Sequence, residues 1–258
     1  MIRRGGWIGG FLVFLACAGW TKADRVPGAW ENYDVGKIIF VDEAPRSEGS
    51  KIYHQIVPDP EAYIKNYARR VLATLYFTPE DEGIPAIREI RYCLKDYDGV
   101  SAKAGGPPSI EIVYSTRWVE RSFSGRRVDQ VDYETKGVLY HELTHGFQLE
   151  PQGIGNYGNN RTFWAMIEGV ADAVRCVNGC FKREDRPKGG HYADGYRTTG
   201  FFLAWLTYKK DRDFLRKFNA STRHVIPWSF QGAVQYALGK EADVDALWRE
   251  YRGAMGDE

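Results

Sequence analysis

Five residues, His141-Glu142-Leu143-Thr144-His145, constrain this chain more than any other stretch. On a helix, residues four apart stand one turn above another, so both imidazoles project from one face. Two such nitrogens can grip one Zn²⁺. The glutamate between them then lies beside the water that such an ion activates, where a general base belongs. A random chain of this length contains the pattern about once in two hundred. The flanks add to the signal. With His141 at zero and about 100° per residue, His145 falls near 40° and Glu142 near 100°, while Leu139, Leu143 and Phe147 cluster near 200°. One face is apolar and packs inward; the opposite face carries the ligands. The helix is expected from about Tyr133 to Leu149, with Asp132 as its cap and Glu134 in the first turn.

Residues 1–23 stand apart. Arg3 and Arg4 precede an apolar run from Trp7 to Ala18, and Thr21-Lys22-Ala23 supplies small residues at −3 and −1. This reads as a secretory signal peptide cut after Ala23, because a membrane span needs about 20 apolar residues. A lipoprotein anchored at Cys17 is the lesser alternative, since Phe14-Leu15-Ala16 fits the usual preceding pattern poorly. The expected setting is therefore secreted or periplasmic. Cleavage removes Arg3, Arg4 and Lys22 from 35 basic residues, leaving 32 against 34 acidic ones. So small a net charge gives no footing for nucleic acid and names no partner. The remaining 24–258 suffice for a sizeable core, with 43% of the whole chain apolar. They read as one catalytic domain with lobes at about 35–150 and 160–258. In an oxidising compartment Cys176 and Cys180 can pair across a helix end, which leaves Cys93 odd.

Along the chain, Lys37 to Val41 reads as a short buried strand. Pro58-Asp59-Pro60 opens a helix from about Glu61 to Tyr76, with Asp59 as cap. Ile87 to Leu94 is a second strand, followed by a loop over Asp96–Gly106. Ser109 to Tyr114 alternates and reads as a third strand near a sheet edge. Arg117 to Gln130 is charged and aromatic and reads as a long loop. Pro151 to Asn160 is a glycine-rich connector. Helical spacing resumes at Thr162 and stops at Asn178-Gly179, with further helices at about 193–209, 211–219, 229–238 and 242–253. The first half is thus mixed α and β and the second almost wholly helical, with the metal helix at the junction. Asn160-Arg161-Thr162 and Asn219-Ala220-Ser221 fit the glycosylation pattern.

A zinc site with two histidines needs a third protein ligand. The helix from Thr162 offers Glu168 and Asp172, four apart on one face. One can ligate while the other accepts the free N–H of a ligating histidine. Ala165, Gly169 and Ala173 form a small-residue stripe that would let this helix approach the metal helix. Asp194 stays open as a ligand and His191 is a weaker one, whereas His54 and His224 have no motif around them. The extended motif H-E-x-x-H-x-x-G-x-x-H is excluded, because Gln148 and Pro151 stand where Gly and His are needed.

The runs Gly137-Val138-Leu139-Tyr140-His141-Glu142-Leu143-Thr144-His145, Ile167-Glu168-Gly169-Val170-Ala171-Asp172 and Gly195-Tyr196-x-x-Thr199-x-x-Phe202-Leu203 together resemble the basic secretory protein family, over roughly 35–215. These are exported zinc peptidases of plants, fungi and bacteria. The resemblance implies a zincin-like α+β fold with Glu168 as third ligand, and peptidase activity. The chain departs from the family in charge, so no role for a cationic surface carries over.

The reading that follows is a secreted zinc-dependent peptidase acting on a peptide or protein. His141, His145 and Glu168 hold the ion, and Glu142 is the general base. Asp172, one turn beyond Glu168, is placed to orient a histidine ligand. Tyr196, which opens the next helix and shares the Gly-Tyr-x-x-Thr pattern with the family, is the expected donor to the developing oxyanion, with His191 and Arg197 as alternatives. Segments 96–108, 117–130 and 150–161 are expected to line the substrate pocket. Two rivals differ in class: an exported zinc-fold protein that binds cell-wall glycans without hydrolysis, and a zinc hydrolase of a non-peptide amide or ester.

Overall fold

The computed structural model describes residues 25–257, so the expected signal segment and Cys17 lie outside the described residues. The chain runs β1 (Lys37–Asp42), α1 (Glu48–Ile56), α2 (Pro60–Leu75), β2 (Glu89–Lys95), β3 (Ser101–Gly106), β4 (Ser109–Ser115), α3 (Thr116–Ser122), α4 (Val128–Phe147), α5 (Arg161–Val177), α6 (Tyr196–Lys209), α7 (Phe214–His224), α8 (Phe230–Leu238) and α9 (Val244–Met255). The architecture is α+β, with the strands all before α4 and helices alone after it. No helix among the described residues is long and apolar enough to cross a membrane. One apolar cluster runs from Trp30 in the first half to Tyr251 in the last helix.

The sheet has the order β1-β2-β4-β3. Strands β1, β2 and β4 are parallel, and β3 pairs antiparallel to β4. This corrects two expectations. The segment assigned to a loop, Asp96–Gly106, contains edge strand β3. Its sequence Ser-Ala-Lys-Ala-Gly-Gly hides it, because an edge with little apolar surface carries no buried alternation. The alternating strand Ser109–Tyr114, expected near an edge, is interior. Its alternation reflects one buried face, formed by Ile110, Ile112 and Tyr114.

The expected loop 117–130 is also corrected. Ser115 caps α3 through Oγ, which accepts from the Trp118 amide at 3.2 Å, and α4 begins at Val128. Asp132 therefore lies inside α4 and pairs with Lys136 at 2.8 Å rather than capping the helix. Charged and aromatic residues mixed in that stretch obscure the helical period. Helix α1, capped by Ser47, was not anticipated.

Helix α4 lies between the sheet and the helical half. Leu139, Leu143 and Phe147 are buried, as the angular projection requires. Its crossing with α5 is close because Gly137 leaves room for Arg175, whose Cζ lies 2.5 Å from where a Cβ would stand. The guanidinium reaches over to Glu134 at 3.3 Å. The small-residue stripe of α5 faces a different partner from the one expected. A Cβ on Gly169 would lie 2.3 Å from Thr199 Cγ2, and one on Gly200 would lie 3.0 Å from the Ala173 amide. The stripe lets α6, not α4, approach α5.

Cys93, Cys176 and Cys180 are free, so the pairing open to Cys176 and Cys180 is not formed. The Asn219 carboxamide is buried, accepting from the Leu149 amide and donating to the Leu75 carbonyl. It ties α7 to the ends of α4 and α2 and is no glycan acceptor. Asn160 caps α5 by accepting from the Phe163 amide.

Candidate active site

Helix α4 brings His141 and His145 to one face, with their Nε2 atoms 3.1 Å apart. Helix α5 adds Glu168, whose Oε2 lies 3.3 Å from Nε2 of His141 and 3.6 Å from Nε2 of His145. Among the described residues these three form a group able to hold a metal. A tetrahedral ion with bonds of about 2.0–2.1 Å has donor–donor edges of about 3.3 Å, so the triangle fits one face of a zinc site. Oε2 of Glu168 is buried without a hydrogen-bond partner, and the two imidazole Nε2 atoms face it. A buried carboxylate oxygen in that condition is costly unless a cation faces it.

Each ligand candidate is held from behind. Nδ1–H of His141 donates to Oδ1 of Asp172 at 2.8 Å, which fixes the tautomer with Nε2 free. Gln148, at the end of α4, sets its amide nitrogen 2.8 Å from Nδ1 of His145, while its amide oxygen is buried without a partner. The two ends of a carboxamide have the same shape, and a half turn puts the oxygen on Nδ1–H. The Tyr157 hydroxyl donates to Oε1 of Glu168 at 2.6 Å, leaving Oε2 for the histidines. Glu142 is buried but lines the cleft, and its Oε1 accepts from the Ser101 hydroxyl on β3 at 2.6 Å.

The local charge is short of a cation. Burial disfavours the charged form of His141, but the carboxylates of Asp172 and Glu168 outweigh it and push its pKa up to about 10. Burial would raise the Glu168 carboxyl, yet the two imidazoles hold it well below the usual carboxylate range. Both shifts express one demand, for positive charge among buried carboxylates. A divalent ion meets it.

Tyr196 follows Gly195, whose φ of +80° turns the chain tightly against Trp164, and itself has a φ of +40°. Such a backbone is uncommon for a tyrosine and brings its ring into the cleft. The ring stacks on His141 at 6.1 Å between centroids and 12° between planes. Burial, then the charges of Glu168, Asp172 and Glu142, raise the phenol pKa, so the hydroxyl keeps its proton.

Two cavities meet here. One of about 410 Å³ is lined by Ser101, Lys103, His145, Gln148, Phe163 and Glu168 among others. The second, of about 650 Å³, lies toward Arg175, Phe181 and Arg197. Ser101, His141, Glu142 and Tyr196 line both. Segments 96–108 and 150–161 contribute as expected, but no residue of 117–130 lines either cavity.

The structure thus brings together His141, Glu142, His145, Glu168, Asp172 and Tyr196. Asp194 and His191 are engaged in a turn of their own, where Oδ2 of Asp194 accepts from the His191 amide at 2.7 Å. Asp194 and Arg197 line only the second cavity. His54 pairs with Asp42, and His224 stacks on Tyr236. Sequence reasoning missed Ser101, Gln148 and Tyr157. Gln148 stands three residues after His145, a spacing that places it beside that ring; Ser101 and Tyr157 sit in segments with no periodicity to mark them.

A family model, BSP, described as "Peptidase of plants and bacteria", matches residues 37–251. No curated protein and no solved structure matches the chain.

Proposed function

The chain belongs to this family of peptidases of plants and bacteria, and on that premise we propose that it is an exported, zinc-dependent peptidase of zincin-like fold. The observation that carries the reading is the triangle of His141 Nε2, His145 Nε2 and Glu168 Oε2 with Glu142 beside it and not in it. Two imidazoles and one carboxylate are a donor set suited to Zn²⁺ with an open position. Zinc bound there supplies a Lewis acid and brings the pKa of water to about 7.

The chain's own groups do the rest. Glu142, aligned by the Ser101 hydroxyl, takes the proton of the attacking water and later delivers it to the leaving nitrogen. Tyr196 keeps a protonated hydroxyl in the cleft and donates it to the oxygen that gains charge. Asp172 and Gln148 hold the two histidine rings. A peptide substrate is favoured over other amides or esters by β3. This strand is the sheet's edge, and Ser101, Ala102 and Lys103 line the cleft, so unpaired backbone groups of β3 can pair with an extended peptide. A glycan-binding protein would have no use for a base at Glu142.

The test is a peptide library offered to the purified mature chain before and after removal of metal by a chelator. Cleavage that is lost on stripping and returns with zinc is expected. Undiminished cleavage by the stripped protein would refute zinc dependence. A zinc-loaded protein that cuts no peptide but cuts esters would transfer the activity to the non-peptide reading.

A further inference from the structure

The inner face of the sheet is apolar except at its edge. Phe40 of β1 pairs with Tyr92 of β2, Tyr92 with Ile112 of β4, and Ile112 with Lys103 of β3. Residues directly opposite in a ladder share a face, so Lys103 points the same way as buried Tyr92 and Ile112, toward α4. Ser101, two residues earlier on that face, confirms the direction by donating to Glu142 of α4. Lysine at the rim of an apolar face calls for a reason, since it is the residue type whose ammonium is most readily kept in water.

Lys103 lines the 410 Å³ cavity together with His145, Gln148, Glu150, Phe163 and Ile167. It is half-buried, and its ammonium, among the described residues, enters no ion pair or hydrogen bond. The acids whose charges act on it are Glu150, which is exposed, and Glu142. Burial lowers its pKa, the mark of an ammonium partly stripped of water without a full counter-charge. Phe163 and Ile167 add apolar side chains to the lining of the same cavity. An ammonium lining a partly apolar pocket, two residues along the edge strand from the Ser101 that touches Glu142, has the form of a specificity pocket for an anion.

Resting on the peptidase reading, we infer that Lys103 binds a carboxylate of the substrate and gives the enzyme a preference for acidic peptides. Side chains on one face of an extended chain recur about every 6.8 Å, the step from Ser101 to Lys103. A peptide paired with β3 therefore presents the carboxylate about two residues from the bond placed beside Glu142. Two sources share this chemistry: an Asp or Glu side chain, and the chain-terminal carboxylate.

The experiment measures kcat/KM for a set of peptides in which a single Glu is moved along an otherwise neutral sequence, each made with a free and with an amidated C-terminus. The wild type should cleave one register roughly 10- to 100-fold faster than its Gln counterpart, the worth of one charge-assisted hydrogen bond. A preference kept by amidated peptides identifies the side chain; one that requires the free terminus identifies the terminal carboxylate and makes the enzyme a carboxypeptidase. Lys103→Met should abolish the preference, so that the Glu and Gln peptides are cleaved at equal rates, and Lys103→Glu should redirect it to Lys or Arg in that register. No acidic preference in the wild type, or one that survives in Lys103→Met, overturns the inference. Calorimetric binding of the same Glu and Gln peptides to zinc-loaded Glu142→Gln, with and without Lys103→Met, reads the pocket without turnover. Were no peptide cleaved at all, the peptidase reading would fall, and tighter binding of the Glu peptide that depends on Lys103 would still uphold the pocket.

Discussion

Asp172 and His141 are joined by a 2.8 Å hydrogen bond between Oδ1 and Nδ1, across 31 positions of sequence and between two helices. The bond turns the other nitrogen of the ring toward His145 and Glu168. Its partner lies in α5, where the close approach of α6 fixes the backbone around Asp172. Removing such an acceptor leaves a ligand in place but free to rotate. Asp172→Ala is expected to weaken zinc by roughly 10- to 100-fold without eliminating it, as read by competition with a calibrated chelator. Complete loss of metal would make Asp172 itself a ligand.

Gln148 stands to His145 as Asp172 stands to His141, through a neutral and therefore weaker acceptor. Gln148→Leu is expected to lower zinc affinity by about tenfold, at the small end of the range for such partners, with helical content by circular dichroism unchanged. An affinity equal to wild type would show that His145 keeps its tautomer without help.

Gly200→Ala tests the packing that positions α5. The added Cβ would lie 2.7 Å from Cβ of Asp172 and 3.0 Å from the Ala173 amide, so α6 must move outward. A loss of about 1–3 kcal/mol in denaturant unfolding is expected, accompanied by weaker zinc binding because Asp172 moves with its helix. Full stability would mean that the two helices have slack which the structure does not show.

How far the sequence could be read depended on whether a residue's role left a periodic mark. His141, His145 and the buried Leu139, Leu143 and Phe147 follow helical spacing, so both the face and the motif were visible. Glu168 and Asp172 were visible as a pair, but only their depth in the fold separates one that meets both Nε2 atoms from one that meets Nδ1. Strand β3 was missed because an edge strand need bury little, and Ser101 and Lys103 were missed with it. Tyr157 lies in a glycine-rich connector where nothing but three-dimensional approach marks it. The start of α4 was misplaced because Asp132 resembles a cap while Lys136 holds it inside the helix.

Two tyrosines reach the cleft, and they are expected to differ. Tyr196→Phe should lower kcat by roughly 10²-fold with KM and zinc content little changed, because in its proposed role the hydroxyl acts on charge that develops during reaction. Tyr157→Phe should act chiefly on zinc affinity, since its hydroxyl is committed to Oε1 of Glu168. The reverse result, with kcat falling only in Tyr157→Phe, would assign the oxyanion donor to Tyr157.

In the proposed function Glu142 moves protons and does not bind the metal. This role is tested most directly by assaying zinc-loaded wild type and Glu142→Gln side by side for zinc content and for cleavage of one peptide. The glutamine can still accept from Ser101 but cannot take a proton from water. One zinc per chain is expected in both proteins, with a loss of turnover of several orders of magnitude in the variant. Equal turnover in the two proteins, or a variant that no longer holds zinc, would contradict that role.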